Sequence, residues 1–146
     1  MNKPHLKVKD LMQNSVYTVS PNDMIDRVFF LLHYEKIRHL PVVEKEKVIG
    51  IVTDRDMYKA LGPKSSGKES EIINGETVLH VIPRKVRNIM RRGVVTIEPN
   101  DNAGKAASLM AEKRVGALPV TRKGKLIGII TATDILMAFA KHCENK

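Results

Sequence analysis

The pattern of hydrophobic and polar residues in the first half of the chain predicts a helix, two strands and a second helix. Apolar residues recur at the three- and four-residue spacing of a helix over 22–36. Short β-branched runs predict strands at 39–43 and 48–52, on either side of a charged turn. Thr53 or Asp54 can cap the helix that follows, because a short side-chain oxygen accepts from the free N–H groups of a first helical turn.

The segment before the first of these helices predicts one more strand. Its β-branched residues lie at 16–19, and Pro21 ends the run. Asn22 or Asp23 can then cap the helix. The predicted order is strand, helix, strand, strand, helix, with a small sheet against two helices.

The same pattern occurs a second time in the chain. A shift of 78 positions places residues 7–60 on 85–138 without a gap, and 20 of the 54 pairs are identical. Such similarity indicates two copies of one structural unit. A unit this small buries too little surface to be stable alone, so we expect the copies to pack together as one domain. The expected boundaries are 7–62 for the first repeat, 63–84 for the connecting segment and 85–140 for the second repeat.

Composition is that of an ordinary globular protein, with 42% hydrophobic and 28% charged residues and a net charge of +9. A basic surface favours polyanions such as nucleotides, nucleic acid or anionic lipid, although a solvated basic face is the plainer interpretation. Nucleic-acid binding is one alternative function. The charge alone supports it, because the chain has neither an aromatic stacking platform nor a recognised nucleic-acid motif.

Targeting and redox signals are few. The N-terminus is followed by no apolar run that would make a signal peptide, and no apolar stretch approaches the roughly 20 residues of a membrane span. The single cysteine, Cys143, cannot form an intramolecular disulfide and has no metal-ligand spacing around it. We expect a cytoplasmic protein that makes no membrane contact.

A Gly-apolar-x-Thr-x-x-Asp motif carries the candidate chemistry. Gly50 lies in a predicted strand, where a missing side chain lets a ligand or backbone approach closely. Thr53 lies where the free N–H groups of a helix can bind an anion, and Asp56 follows about one turn later as an acceptor suited to a ribose diol. In the plainer interpretation, Thr caps the helix and Asp complements its dipole. The motif recurs in register at Gly128, Thr131 and Asp134.

These motifs resemble the cystathionine-β-synthase (CBS) domain, and the chain resembles a tandem CBS pair, or Bateman module. The resemblance covers nearly the whole chain and implies an α/β (α+β) fold of two β-α-β-β-α repeats packed about a pseudo-twofold. The connecting segment and the Ile-Arg-His-Leu-Pro-Val sequence also resemble CBS pairs of the acetoin-utilisation type. The matching stretches are 8–12, 18–21, 37–43 and 50–56, with counterparts at 86–90, 96–99, 115–121 and 128–134.

The resemblance implies a non-enzymatic regulatory module. Such a module binds AMP, ADP, ATP or S-adenosylmethionine in the cleft between its repeats and signals to a partner protein that the sequence does not identify. We expect no catalytic residue, metal or resident cofactor. Family members usually pair through their helices, so we expect a homodimer, and one apolar stripe of the first helix cannot bury both Phe29 and Phe30. A ligand-free dimerisation or interaction module is the alternative.

The resemblance also implies site residues. Ribose and phosphate contacts are expected at Thr53, Asp56, Thr131 and Asp134. Further phosphate contacts are expected at Arg38, His39 and Arg55, and the base pocket and its backbone at Thr18, Pro41, Gly50, Thr96, Pro119 and Gly128. The second repeat has Gly116, Ala117 and Thr133 in place of the three basic residues. We therefore expect a phosphorylated ligand to depend mainly on the first repeat.

Overall fold

The computed structural model describes residues 5–61, 70–73, 76–79 and 84–144. Helices and antiparallel strands occur in both repeats, which confirms the predicted α+β class. The helices are α1 (Val8–Leu11), α2 (Ile25–Tyr34), α3 (Asp54–Leu61), α4 (Ala103–Lys113) and α5 (Ala132–Glu144), with a 3₁₀ turn at Val86–Asn88. The strands are β1 (His39–Glu44), β2 (Lys47–Thr53), β3 (Ser70–Ile73), β4 (Glu76–Leu79), β5 (Ala117–Arg122) and β6 (Lys125–Thr131).

Strand pairing organises these elements. β1 and β2 are hydrogen-bonded neighbours, joined by a tight turn in which Lys45 and Glu46 have φ angles of 51° and 68°. β5 pairs with β6 in antiparallel register from Ala117 opposite Thr131. β3 pairs antiparallel with β4. Of the connecting segment predicted at 63–84, only β3, β4 and residue 84 belong to the described residues.

The predictions of the hairpin strands and of the helices are confirmed. The predictions of a strand at 16–19 and of a side-chain cap on the first long helix are wrong. Of residues 16–19, Val19 makes an isolated parallel bridge to Val42 and the rest form no strand. Met24 stands at the N-cap of α2 and supplies no side-chain bond. Asp23 does not cap α2 because its carboxylate accepts the N–H of Ser20 at 2.8 Å and closes the preceding turn instead.

The described chain forms two compact units that do not follow the sequence repeats. The first-repeat unit contains the described residues of 17–44 and 49–92, and the second-repeat unit contains those of 5–16, 45–48 and 93–144. Each unit therefore joins the body of one repeat to a short segment from the beginning of the other. The segment that contains α1 belongs to the second-repeat unit, and the segment that contains the 3₁₀ turn belongs to the first-repeat unit.

Equivalent backbone hydrogen bonds hold each exchanged segment in its unit. In the second-repeat unit, Gln13 and Ile129 donate to each other's carbonyls at 2.8 and 3.0 Å. In the first-repeat unit, Arg91 and Ile51 make the same pair of bonds at 2.9 and 3.1 Å. The two pairs are 78 positions apart, so the exchange follows the internal repeat.

Each unit has its own hydrophobic core, and the exchanged segment contributes to it. Full burial of a valine, leucine or isoleucine side chain stabilises a fold by about 1.5–3 kcal/mol. The exchanged segments each supply one fully buried valine, Val86 to the first-repeat unit and Val8 to the second. Other fully buried residues are Val28, Leu40, Val42 and Val52 in the first core and Ala106, Leu118, Val120 and Ile130 in the second.

Candidate ligand-binding site

The junction between β2 and α3 is a capping box made by the two polar residues of the motif. The backbone N–H of Thr53 donates to Oδ2 of Asp56 at 2.9 Å, and the N–H of Asp56 donates to Oγ1 of Thr53 at 3.2 Å. These reciprocal bonds satisfy donors that a helix N-terminus leaves free. The predicted cap at Thr53 is confirmed, and the box fixes the orientation of the Asp56 carboxylate.

The second-repeat unit has the same box between β6 and α5. The N–H of Thr131 donates to Oδ2 of Asp134 at 2.8 Å, its hydroxyl donates to the same oxygen at 3.0 Å, and the N–H of Asp134 donates to Oγ1 of Thr131 at 3.3 Å. In both boxes Oδ2 of the aspartate makes the capping bonds. Oδ1 is therefore the oxygen that can serve another partner.

The two boxes differ in the partner of that Oδ1. Oδ1 of Asp56 accepts from Nε of Arg91 at 2.9 Å in an ion pair. Oδ1 of Asp134 accepts from the amide of Gln13 at 3.4 Å, a long distance for a hydrogen bond. Gln13 and Arg91 are 78 positions apart and occupy equivalent places in the repeat. Asp56 is buried, with 6% of its surface exposed, whereas Asp134 is half-buried.

His39 begins β1 next to the first box and is half-buried. Burial lowers the pKa of its imidazole below the usual 6.5, and the Arg38 charge lowers it further, while the carboxylates of Asp54 and Asp56 oppose the shift. The neutral imidazole is therefore the favoured form near neutral pH. It can donate one hydrogen bond to a ligand but brings no positive charge of its own.

Arg38 and Arg55 are both exposed. Arg38 lines a cavity of about 340 Å³ in the first-repeat unit, together with residues of α2 and α3. The backbone N–H of Arg55 donates to the carboxylate of Asp54 at 2.8 Å. Aromatic rings and cations share the cavity wall, a lining that suits a flat, anionic ligand. Six of its lining residues are Phe29, His33, Lys36, Arg38, Asp54 and Tyr58.

The predicted base-pocket residues come together in pairs within each unit. The N–H of Val19 donates to the carbonyl of Pro41 at 3.1 Å, which places Thr18 next to β1. The N–H of Ile97 donates to the carbonyl of Pro119 at 3.1 Å, which places Thr96 next to β5 in the same way. Both prolines are fully buried. Their side chains serve packing, so a ligand here would meet backbone and threonine.

The motif glycines are where the exchanged segments cross β2 and β6. A Cβ on Gly50 would lie 2.6 Å from Sδ of Met90 and 3.0 Å from the carbonyl oxygen of Arg91. A Cβ on Gly128 would lie 2.8 Å from the carbonyl oxygen of Gln13 and 2.9 Å from Sδ of Met12. Each glycine thus permits close approach of backbone from its own unit.

Sequence reasoning missed Gln13 and Arg91 as residues of the two boxes. Neither carries a motif, and they lie 121 and 35 positions from the aspartates that they contact. One signal was present: the two residues align in the repeat, and one is neutral while the other is cationic. Lys36, Asp54 and Tyr58 of the cavity were also missed.

Two other kinds of site find no support among the described residues. Within 5–61, 70–73, 76–79 and 84–144, histidine, cysteine and carboxylate side chains form no cluster that could hold a metal ion. In the same part of the chain, no helix combines the length and apolar character needed to cross a membrane.

Comparison with known proteins identifies the family. The sequence model of the CBS domain matches residues 8–63 and 86–141. A CBS domain-containing protein of Dictyostelium discoideum is 36% identical over 139 residues, which cover 94% of this chain and 93% of that protein. The chain belongs to the CBS domain family and carries two copies of the domain, so the resemblance drawn from its motifs is confirmed.

Solved structures of CBS pairs share the fold. The pair of protein MJ0100, solved with 5'-methylthioadenosine and S-adenosyl-L-methionine, has a TM-score of 0.78 at 26% identity, covering 95% of this chain and 99% of that chain. CBSX2, solved with AMP, has a TM-score of 0.73 at 27% identity, covering 92% and 96%. A Vibrio cholerae protein named for acetoin utilization (AcuB) has a TM-score of 0.74 at 26% identity, covering 97% and 95%.

Several curated relatives are longer than this chain. It spans 47% of protein MJ1225 of Methanocaldococcus jannaschii and 24% of a homoserine O-acetyltransferase of Methanohalobium evestigatum. The match to the acetyltransferase is therefore confined to a minor part of that enzyme.

Proposed function

We propose that this chain is a non-enzymatic regulatory module that binds an adenine-containing ligand and signals its presence to a partner protein. The observation that carries the proposal is the pair of capping boxes. Each fixes a carboxylate at a strand-to-helix junction and leaves one of its oxygens outside the capping bonds. Similarity to CBS pairs solved with AMP, or with 5'-methylthioadenosine and S-adenosyl-L-methionine, supports an adenine ligand.

A fixed carboxylate is a good acceptor for a vicinal diol. The ribose of a nucleoside offers two neighbouring hydroxyl donors, and an acidic residue placed after a strand accepts them in dinucleotide-binding folds. Because Thr53 and Thr131 already hold the carboxylates, less side-chain freedom is lost when a ligand binds. Asp56 and Asp134 are the candidate ribose acceptors, and Thr18 and Thr96 with their neighbouring backbone are candidates for the base.

A phosphate on the ligand would find its donors in the first repeat. Arg38 and Arg55 are exposed cations, and the planar fork of arginine suits phosphate oxygens. Burial lowers the pKa of His39, whereas an approaching phosphate would raise that pKa and draw a proton onto the ring. AMP, ADP and ATP fit this arrangement. S-adenosylmethionine and 5'-methylthioadenosine share the diol without the phosphate.

Signalling requires a ligand that favours one arrangement of the chain over another, since binding shifts an equilibrium only by its differential affinity. The exchanged segments are suited to such a role, because Gln13 and Arg91 contact the motif aspartates directly. A ligand that binds Oδ1 of either aspartate would displace Gln13 or Arg91 from it, and the exchanged segment would lose that contact. The partner protein can be identified as one whose binding to this chain depends on the ligand.

A binding screen on the full chain tests the proposal. We expect AMP, ADP, ATP, S-adenosylmethionine or 5'-methylthioadenosine to raise the free energy of unfolding, by about 2.7 kcal/mol when the ligand is at 100 times its Kd. GMP and inorganic phosphate serve as controls. If no adenine compound shifts thermal unfolding or gives heat in calorimetry, the proposed function is wrong.

The phosphate role of Arg38 has its own test. Arg38→Ala should weaken AMP by about 1.5–3 kcal/mol, as for a hydrogen bond to a charged group, and leave adenosine unaffected. The matched control is Lys123→Ala in the turn between β5 and β6, where the side chain is also exposed. Equal weakening of AMP and adenosine would remove the phosphate role from Arg38.

A second candidate function is a dimerisation or interaction module, and the exposed aromatic face of α2 favours it. Phe29, Phe30 and Tyr34 are 38%, 53% and 67% exposed, and the rings of Phe30 and Tyr34 lie 4.7 Å apart. Large apolar side chains grouped on one face are typical of interaction surfaces. The face lies on the helix through which the resemblance to CBS pairs implies a homodimer.

Sedimentation at tens of micromolar tests this face, a rough scale for an interface of standard size. We expect a homodimer that Phe30→Glu converts to monomer. Arg122→Glu at the end of β5 is a control for the added negative charge, and it should leave the dimer intact. A wild-type chain that sediments as a monomer would contradict the homodimer.

A further inference from the structure

The two capping boxes share their two reciprocal backbone bonds and differ in the partner of Oδ1 of the aspartate. In both, the threonine N–H donates to Oδ2, at 2.9 Å for Asp56 and 2.8 Å for Asp134. Oδ1 of Asp56 is then paired with the guanidinium of Arg91 at 2.9 Å. Within the described part of the chain, Oδ1 of Asp134 has only a 3.4 Å bond from the neutral amide of Gln13.

This difference decides which carboxylate a ribose diol can reach. To accept a hydroxyl in place of Arg91, Oδ1 of Asp56 must exchange its ion pair with the guanidinium for a bond from an uncharged donor. Asp56 is also buried, so its carboxylate would remain in a poorly solvated place without its counter-charge. Asp134 is half-buried and loses only a long bond to an amide.

We propose that the two units are unequal ligand sites. Oδ1 of Asp134 is available to accept the ribose diol, whereas Arg91 occupies Oδ1 of Asp56 and prevents it from doing so. This inference rests on the proposed binding of an adenine-containing ligand. The sequence led us to expect that a phosphorylated ligand depends mainly on the first repeat, which includes Asp56, and the inference reverses this expectation for the ribose contact. Because residues 13 and 91 lie in exchanged segments, the beginning of each repeat sets the accessibility of the other repeat's carboxylate.

Exchanging the two residues tests the proposal on the full chain. Adenosine is the probe, because it carries the diol without a charge that an added arginine could attract. We expect the wild-type chain to bind one adenosine in calorimetry. Gln13→Arg should weaken that site about 10- to 100-fold by placing a guanidinium on Asp134. Arg91→Gln should add a second site, and the double exchange should move the single site to Asp56.

The probe 2'-deoxyadenosine, which lacks one hydroxyl of the diol, tests Asp134 itself. Wild type should prefer adenosine, and Asp134→Asn should reduce this preference while circular dichroism shows a folded chain. A preference that persists in Asp134→Asn would overturn the assignment of Asp134.

The remaining outcomes separate the inference from the function on which it rests. Unchanged adenosine binding in Gln13→Arg, or two equal sites in wild type, would overturn the inference while leaving the module a ligand binder. Absence of binding by AMP, adenosine and 5'-methylthioadenosine to both wild type and Arg91→Gln would reject the proposed function and the inference together.

Discussion

The first-repeat and second-repeat units share the bonds that build a strand-to-helix junction and differ in what surrounds it. Both have a threonine cap, an aspartate that returns the bond, and a glycine under the crossing of an exchanged segment. They differ in the residue that meets the free aspartate oxygen, Arg91 in one and Gln13 in the other. The internal repeat thus retains what the fold needs and varies what a ligand would meet.

A second difference lies beside the buried prolines. The first repeat has Arg38 and His39 before Pro41, and the second has Gly116 and Ala117 at the equivalent positions. Ala117 is buried, whereas Arg38 is exposed and lines a cavity. The two strands begin alike in backbone, yet only the first offers basic groups there. Substitutions at equivalent positions can therefore test each difference with the other unit as its control.

The largest expected effect concerns the motif glycines. Gly128→Ala should cost about 2–3 kcal/mol of unfolding free energy, because its new methyl would meet the backbone carbonyl of Gln13, and overpacking typically costs about 1–3 kcal/mol. Gly50→Ala should cost about 1–2 kcal/mol, because its closest neighbour is the flexible end of Met90. Urea unfolding of both variants measures the difference. A larger cost for Gly50→Ala would show that the two crossings are not packed as described.

A smaller effect is expected from the partners of the motif aspartates. Arg91→Ala should destabilise the chain by about 1 kcal/mol, because it leaves the buried Asp56 carboxylate without a charged donor, although exposure of the guanidinium weakens the pair. Gln13→Ala should change stability by less than about 0.5 kcal/mol, since the bond that it removes is long. Chemical unfolding at low and high salt compares them, and the loss in Arg91→Ala should shrink with salt. Equal losses would indicate that the two contacts are equally strong.

The sequence was sufficient for features that depend on neighbouring residues. Helical spacing placed α2, β-branched runs placed the hairpin strands, and the Thr53 cap followed from its position at a strand-to-helix junction. These signals are local, so a single chain displays them. The internal repeat then transferred each prediction from the first copy to the second.

The features that the sequence left hidden depend on contacts between distant residues. Nothing local shows that residue 91 lies on Asp56 or residue 13 on Asp134, because the contacts arise from the exchange of segments. The predicted cap at Asp23 failed for a related reason: two local uses competed for one carboxylate, and the bond to Ser20 prevailed. Pattern alone does not rank such alternatives.

The smallest expected effect is a pH dependence that only the first repeat carries. Burial lowers the pKa of His39 below 6.5, with Arg38 adding to the shift and Asp54 and Asp56 opposing it. As the pH falls, the unfolded chain takes up this proton before the folded chain does, so the stability that neutral His39 provides is complete above about pH 6.5 and is lost as pH falls through the folded pKa. His39→Ala, which copies Ala117 of the second repeat, should therefore lose less unfolding free energy than wild type between about pH 7.5 and pH 5.5.

Urea unfolding at both pH values measures the two slopes. His33→Ala, at an exposed position on α2, is the control and should keep the wild-type slope. An unchanged slope in His39→Ala would mean that burial of this imidazole does not favour its neutral form.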